Sequence, residues 1–200
     1  MSRAAEAQEY LRGAGLLIQR AAPLMADPAA SAAKLLVGAL ESGGTVLLCG
    51  NGGSAALAQH MACELVGRMR GDHPAWRAVA LSSDSAVVTA VANDFGFETA
   101  FARQVRALGK SGDVLVALST SGTSANILAA ARAAREKGMA VVGLTGATGG
   151  ELAGLCTCVL AVPSDDTPRV QEVHGVLAHA ICGLVEEEFA EASGRKHRDA

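Results

Sequence analysis

CGNGGSAALAQHMACE, residues 49–64, is the stretch from which the fold can be read. Just before and into it, Thr45, Val46, Leu47, Leu48 and Cys49 form a short apolar run, the mark of a buried strand. The run breaks at Gly50-Asn51-Gly52-Gly53-Ser54. Glycines there permit positive φ and let a ligand approach the main chain. Ser54 is placed to cap a helix over Ala55 to Leu65, a stretch of strong helix formers. A strand, a glycine turn and a helix N-terminus make an anion site, because free N–H groups and the helix dipole point the same way. Further on, His60 and Glu64 stand four residues apart and share one helix face. The stretch therefore offers an anion cradle and a candidate metal or acid–base pair. Each feature also has a plainer reading. Such a turn can serve chain reversal alone, a His/Glu pair at this spacing is common on solvated helices, and the sequence is neither a P-loop nor GxGxxG.

Outward from this stretch, short apolar runs alternate with helical segments. On the N-terminal side, Ala4 to Ala21 and Ala29 to Glu41 read as two helices, punctuated by Pro23 and Pro28. On the C-terminal side, strands are expected at Ala78 to Leu81, Asp113 to Leu118, Ala140 to Thr145 and Val159 to Val162. Helices are expected at Ser82 to Ala92, Phe97 to Leu108 and Ala125 to Lys137, with a long one opened by Pro168 and running to about Ala192. The expected class is α/β: a single domain with a five-stranded parallel sheet flanked by helices, and two N-terminal helices within residues 4–41. The domain spans 1–194, and residues 195–200 read as a flexible, solvated tail. Ligands of such sheets bind beyond the carboxyl ends of strands. Two loops lie at such ends, Gly50 to Ser54 and Ser119 to Ser124.

Composition limits the alternatives. The chain has 200 residues, half of them hydrophobic and 3% aromatic, so the core is built from Ala, Val and Leu. A net charge of −3 gives no general attraction to nucleic acid or an anionic membrane. No apolar run approaches the roughly 20 residues of a membrane span. The N-terminal MSRAAEAQEYLRG lacks a basic start followed by an apolar core, so no signal peptide is expected. Cys49, Cys63, Cys156, Cys158 and Cys182 lack zinc-ribbon spacing and read as reduced thiols of a cytoplasmic protein.

Ser119-Thr120-Ser121-Gly122-Thr123-Ser124 carries five hydroxyls in six residues immediately before a helix. Hydroxyls and helix N–H groups can hold a phosphate without a lysine, although Ser and Thr also populate ordinary capped loops. Here a resemblance becomes specific. LSTSGTSANI resembles the phosphosugar-binding loop of the sugar isomerase (SIS) domain. Together with CGNGGSAALAQHMACELVGR, AVANDFGFETAF, REKGMAVVGLTG and DTPRVQEVHGVLAHAICGLVE it resembles the phosphoheptose isomerases, over nearly the whole chain.

That resemblance implies a cytoplasmic homotetramer converting sedoheptulose 7-phosphate to D-glycero-D-manno-heptose 7-phosphate through an enediol(ate). This is the first step toward nucleotide-activated heptose and lipopolysaccharide precursors. By position it assigns the phosphate to Ser119, Ser121 and Ser124, with Thr120 beside them. Asn51, Gly52, Gly53 and Ser54 line the sugar, and Asn93 and Asp94 close the site. His60, Glu64, Gln171 and His179 match the family's zinc ligands, one Zn2+ per subunit, with Glu64 and Gln171 also contacting substrate. Glu64 and His179 match its acid–base pair. One position departs: Leu57 stands where the family usually has an acidic residue.

Gln171 and His179 are eight apart, about 12 Å of helical rise and 80° of rotation. They reach one metal only if their side chains lean together or different subunits contribute. His174 has no assigned role, and His73 and His197 read as loop and tail. The rival class is a non-catalytic SIS-domain regulator binding the replication initiator DnaA. That relative lacks the acid at the Glu64 position, has Asn at the His179 position and carries Arg at the Ser121 position. A SIS transcription regulator needs a helix-turn-helix domain, for which the N-terminal part has no basic stripe.

Overall fold

Five short strands, each 3–6 residues long, stack in the order β2-β1-β3-β4-β5, and every neighbouring pair is parallel. They are β1 (Val46–Cys49), β2 (Ala78–Ala80), β3 (Val114–Ser119), β4 (Ala140–Thr145) and β5 (Cys158–Ala161). The helices between them are α1 (Arg3–Glu41), α2 (Gly53–Val66), α3 (Ser85–Phe95), α4 (Ala100–Leu108), α5 (Ala125–Glu136), α6 (Gly150–Ala153) and α7 (Thr167–Ala192), with a 3₁₀ turn at Phe97–Thr99. The computed structural model describes residues 2–192; the tail expected at 195–200 lies outside the described residues.

Period-two alternation divides the three central strands, β1, β3 and β4, between two cores. Val46, Leu48, Val114, Val116, Leu118, Val142 and Leu144 face one side and pack with residues of α1, α2 and α7. Leu47, Cys49, Leu115, Ala117 and Val141 face the other and pack with α4 and α5. Both faces of these three strands are covered, which is why they read as unbroken apolar runs, whereas the edge strand β2 leaves Val79 exposed. Burial pushes the Cys49 thiol up to about 12, so it is an inert core group.

The N-terminal segment corrects the sequence reading. Two helices were expected within 4–41, and the chain instead forms one helix of 39 residues with Pro23 and Pro28 inside it. An interior proline costs about 3 kcal/mol through its missing N–H and ring clash. The stretch between the prolines, Leu24-Met25-Ala26-Asp27, contains no glycine. On one face Leu17, Ala21, Met25, Ala29, Ala32, Ala33, Leu36 and Val37 are buried. Each large member contributes about 1.5–3 kcal/mol relative to exposure, enough together to offset both prolines. Cys158 Sγ lies 3.3 Å from the Pro28 carbonyl, tying the second proline to β5.

Three local boundaries also differ. Gly52, at φ 54°, is the N-cap of α2, and Ser54 is the helix's second residue. A backbone that must turn with positive φ selects glycine over a capping serine. Asp84 caps α3 through a bond from the Val87 N–H, so this helix starts later than expected and runs through Asn93 and Asp94. Residues 150–153, between the strands expected at Ala140 to Thr145 and Val159 to Val162, form the short α6.

Candidate active site

The sheet order reverses direction at β1: the chain passes from β1 to β2 on one side, then crosses to β3 on the other. In open α/β sheets the crevice at such a switch point is where ligands bind. The loops leaving β1 and β3 flank it, and they are the two loops singled out in the sequence.

The β3 loop is held in shape by its own hydroxyls. Ser119 Oγ and Ser124 Oγ are 3.1 Å apart, and Ser119 Oγ accepts from the Gly122 N–H at 3.2 Å. Ser121 Oγ accepts from the Thr123 N–H and Oγ1 at 3.3 and 3.1 Å. Ser119 is buried, Thr120 and Ser124 are half-buried, and Ser121 is exposed. Ser124 is the N-cap of α5 but makes no side-chain bond to the helix, which leaves first-turn N–H donors for an anion. Gly122 is required twice over: its φ is 67°, and a Cβ there would collide with the Gly149 carbonyl.

The β1 loop is tied to this loop across the switch point. Asn51 Nδ2 donates to Asn126 Oδ1 at 2.9 Å, and Asn126 Nδ2 donates back to Asn51 Oδ1 at 2.8 Å. Asn51 thus spends part of its amide on joining the loops. Asn126, 4% exposed in the first turn of α5, is a site-forming residue the sequence reading missed. Its only signal was a polar residue following a serine-rich loop. Gly52 and Gly53 are exposed at the start of α2, and Ser54 is buried beneath them.

The second group lies on α2 and α7. His60 Nε2 is 2.8 Å from His179 Nε2 and 3.4 Å from Glu64 Oε1, and ligand atoms of all three residues fall within 4.8 Å of one another. The rings meet edge to face with centroids 5.0 Å apart. The Glu64 side chain is 14% exposed and that of His60 45%, so a protected carboxylate sits beside an accessible imidazole. Two imidazole nitrogens and a carboxylate oxygen can each offer an electron pair, and a shared proton or a metal ion draws such atoms together. Ligands bound tetrahedrally at about 2.0–2.1 Å lie roughly 3.3 Å apart. The observed 2.8 and 3.4 Å bracket that edge. The donor set, two imidazoles and a carboxylate, is of the kind that holds zinc.

Gln171 is placed elsewhere. A Cβ on Gly53 would lie 2.6 Å from Gln171 Oε1, so this side chain packs over the start of α2. The helices run in the same direction, with Gln171 beside Gly53 and His179 beside His60. Gln171 is thus about 12 Å of helical rise from His179 in its own chain. Asn93 and Asp94 are exposed at the end of α3 and bond to each other at 2.8 Å. Leu57 packs half-buried against the α1–α2–α7 core.

His174, which has no role assigned from the sequence, does have a structural one. It is fully buried on α7, and its ring bonds the Thr145 carbonyl at 3.1 Å. Thr145 is the sheet partner of Ser119, the first residue of the hydroxyl loop. Burial drives the His174 pKa down to about 4, against a smaller opposing effect of that backbone bond. The ring is therefore neutral, its Nε2–H donates, and α7 is pinned to the end of β4.

Residues 9–146 match the family described as SIS domain. The phosphoheptose isomerase of Burkholderia pseudomallei (strain K96243) is 57% identical over 150 residues, covering 75% of this chain and 76% of that protein. Among solved structures, phosphoheptose isomerase GmhA from Neisseria gonorrhoeae is similar at a TM-score of 0.88 and 41% identity, over 93% of this chain and 100% of the other. A phosphoheptose isomerase from Francisella tularensis gives 0.89 and 37%, over 94% and 100%.

Proposed function

The chain belongs to the sugar isomerase (SIS) domain family and stands among its phosphoheptose isomerases, and from that premise we propose how its own residues carry out the reaction. It is an isomerase that converts D-sedoheptulose 7-phosphate to D-glycero-D-manno-heptose 7-phosphate. The alternative of a regulator binding DnaA finds no support among the relatives, which are isomerases.

The phosphate is bound by Ser119, Ser121 and Ser124, with Thr120 beside them and the α5 N-terminus behind. Gly52, Gly53 and Ser54, with Asn51 fixing their loop, line the sugar, and Asn93 and Asp94 close over it. Ketose-to-aldose conversion removes a proton from C1, passes through an enediolate and returns a proton to C2. Glu64 carries that proton, and His179 moves another between the two oxygens, since imidazole both donates and accepts.

His60, Glu64 and His179 hold one zinc per subunit. Zinc, when bound, supplies positive charge that stabilises the oxyanion of the enediolate. A carboxylate has two oxygens, so Glu64 can serve metal and proton through different atoms. Gln171 contacts the sugar in its own chain and reaches the metal only of a neighbouring chain, within a homotetramer. We place the enzyme in the cytoplasm, at the first step of nucleotide-heptose synthesis. No helix among the described residues is long and apolar enough to cross a membrane.

The observation that carries this mechanism is the convergence of His60, Glu64 and His179. Zinc-replete protein is expected to turn over sedoheptulose 7-phosphate. Glu64→Gln and His179→Gln should each lower kcat by ~100-fold or more, the scale of a lost general acid or base. Undiminished kcat in Glu64→Gln would remove its role as the base.

A further inference from the structure

Glu186 stands seven residues beyond His179 on α7, a spacing that returns to within about 20° of the same helix face. It opens the run Glu186-Glu187-Glu188, yet only Glu186 turns inward, at 5% exposure. Its carboxylate grips the segment that follows α2. Oε1 accepts from the Met69 N–H at 2.7 Å and the Arg70 N–H at 3.3 Å. Oε2 accepts from the Arg70 and Gly71 N–H groups, both at 3.1 Å. His73 Nε2 lies 3.3 Å from Oε1, and the His73 ring stacks on Trp76 at 3.6 Å. Trp76 meets Phe189 of α7 at 4.8 Å, closing the joint from the other side.

This joint belongs to the helix pair that carries the metal-capable groups. Two contacts of the α2–α7 pair, Gly53 with Gln171 and His60 with His179, are followed in the same register by the grip of Glu186 on residues 69–71, just beyond the end of α2. Buried Cys182, on α7 between His179 and Glu186, feels the charge of both sites. Its thiol is pushed up to about 12 first by burial, then by the carboxylates of both Glu64 and Glu186. Hydrogen bonds from N–H groups to a carboxylate are charge-assisted and directional, so this contact is stiff where apolar side chains slide.

We propose that Glu186 is a positioning residue: by gripping residues 69–71 it sets the separation of α2 from α7 and holds His60 and Glu64 at coordinating distance from His179. The proposal rests on the zinc reading above and extends it to a residue that touches neither metal nor substrate. A residue that only stabilised the fold would change the melting temperature and leave the folded site as it was.

Glu186→Gln turns an amide NH2 toward backbone donors and breaks the grip. In folded protein, zinc affinity by chelator competition should fall at least ~10-fold, the scale for residues that orient metal ligands. With zinc saturating, kcat should fall while KM stays within about twofold, because the phosphate loop is untouched. A metal-independent measurement accompanies these: in zinc-stripped protein with 13C-labelled histidine, the cross-peak between the His60 and His179 rings should weaken. Parental zinc affinity together with a parental cross-peak in folded Glu186→Gln overturns the proposal. If Glu186→Gln does not fold, Glu186→Asp is read the same way, its charge kept but its reach shortened by one methylene. A parent protein that takes up no zinc sinks the metal reading instead, and the cross-peak then judges Glu186 alone.

Discussion

Lowering the pH should weaken this protein through one identifiable side chain, His174. Its side chain is fully buried, Nε2–H donates to the Thr145 carbonyl, and Nδ1 has no hydrogen-bond partner among the described residues. Nothing there welcomes a second proton, and burial lowers the pKa from 6.5 to about 4. The unfolded chain therefore binds a proton near pH 6.5 that the folded chain refuses until near pH 4. Between those values the unfolded state holds more protons, so stability falls as pH falls; above 6.5 the contribution is complete. At 1.36 kcal/mol per pH unit the whole window is worth about 3.4 kcal/mol, of which roughly 2 is lost by pH 5. Urea unfolding at pH 7.5 and pH 5.0, at one fixed protein concentration, measures it in wild type and in His174→Gln. Gln retains a donor for Thr145 and cannot titrate. Other histidines and the carboxylates act in both proteins and cancel in the difference. Wild type should lose about 2 kcal/mol more than the variant between the two pH values. Equal losses would refute the argument, because the ring would then accept its proton in the folded state as readily as in water.

The remaining predictions concern the site. Wild type should carry about one zinc per subunit by metal analysis after gentle purification, and His60→Ala should lose it; equal zinc in both removes His60 from the ligand set. Ser121→Ala should weaken phosphosugar binding by roughly 1–2 kcal/mol, as for a hydrogen bond to a charged group, and unphosphorylated heptulose bound equally well by wild type would give the loop another task. Light scattering at micromolar concentration should return a tetramer mass, and a monomer mass would exclude the shared site.

How much the sequence disclosed follows from where each signal resides. The three central strands are buried on both faces and must be short apolar runs, and the two edge strands are short apolar runs as well, so all five could be placed within about a residue. Ligand loops need glycines and hydroxyls at strand ends, so Gly50 to Ser54 and Ser119 to Ser124 stood out. The continuity of α1 was hidden because the proline rule is local, while the burial that overrides it on Leu17, Met25 and Leu36 is tertiary. Asn126, His174 and Glu186 were hidden for a related reason. Each looks like an ordinary polar residue of a helix, and each acts through a partner 29 to 117 positions away. The placement of Gln171 beside Gly53 depends on the register of α2 against α7, which no spacing within either helix encodes.

That register also bears on the proposal that a neighbouring chain completes the site. Gln171, matched to the metal ligands, is held beside Gly53, while His60 and His179 meet farther along the same helix pair and His60 keeps 45% of its side chain open. Asn93 and Asp94, matched to the substrate, sit on α3, an 11-residue helix that buries no residue in this chain although most of its sequence is apolar. Phe95 and Phe97 beside them are 50% and 49% exposed. An apolar helix left open, bearing the polar residues assigned to the substrate, has the character of a surface meant to be covered. In the homotetramer proposed above, a neighbouring chain would cover α3. Assembly would then bury the apolar side chains and bring the substrate residues over the site in one event. Dilution to monomers would cost activity before it cost secondary structure.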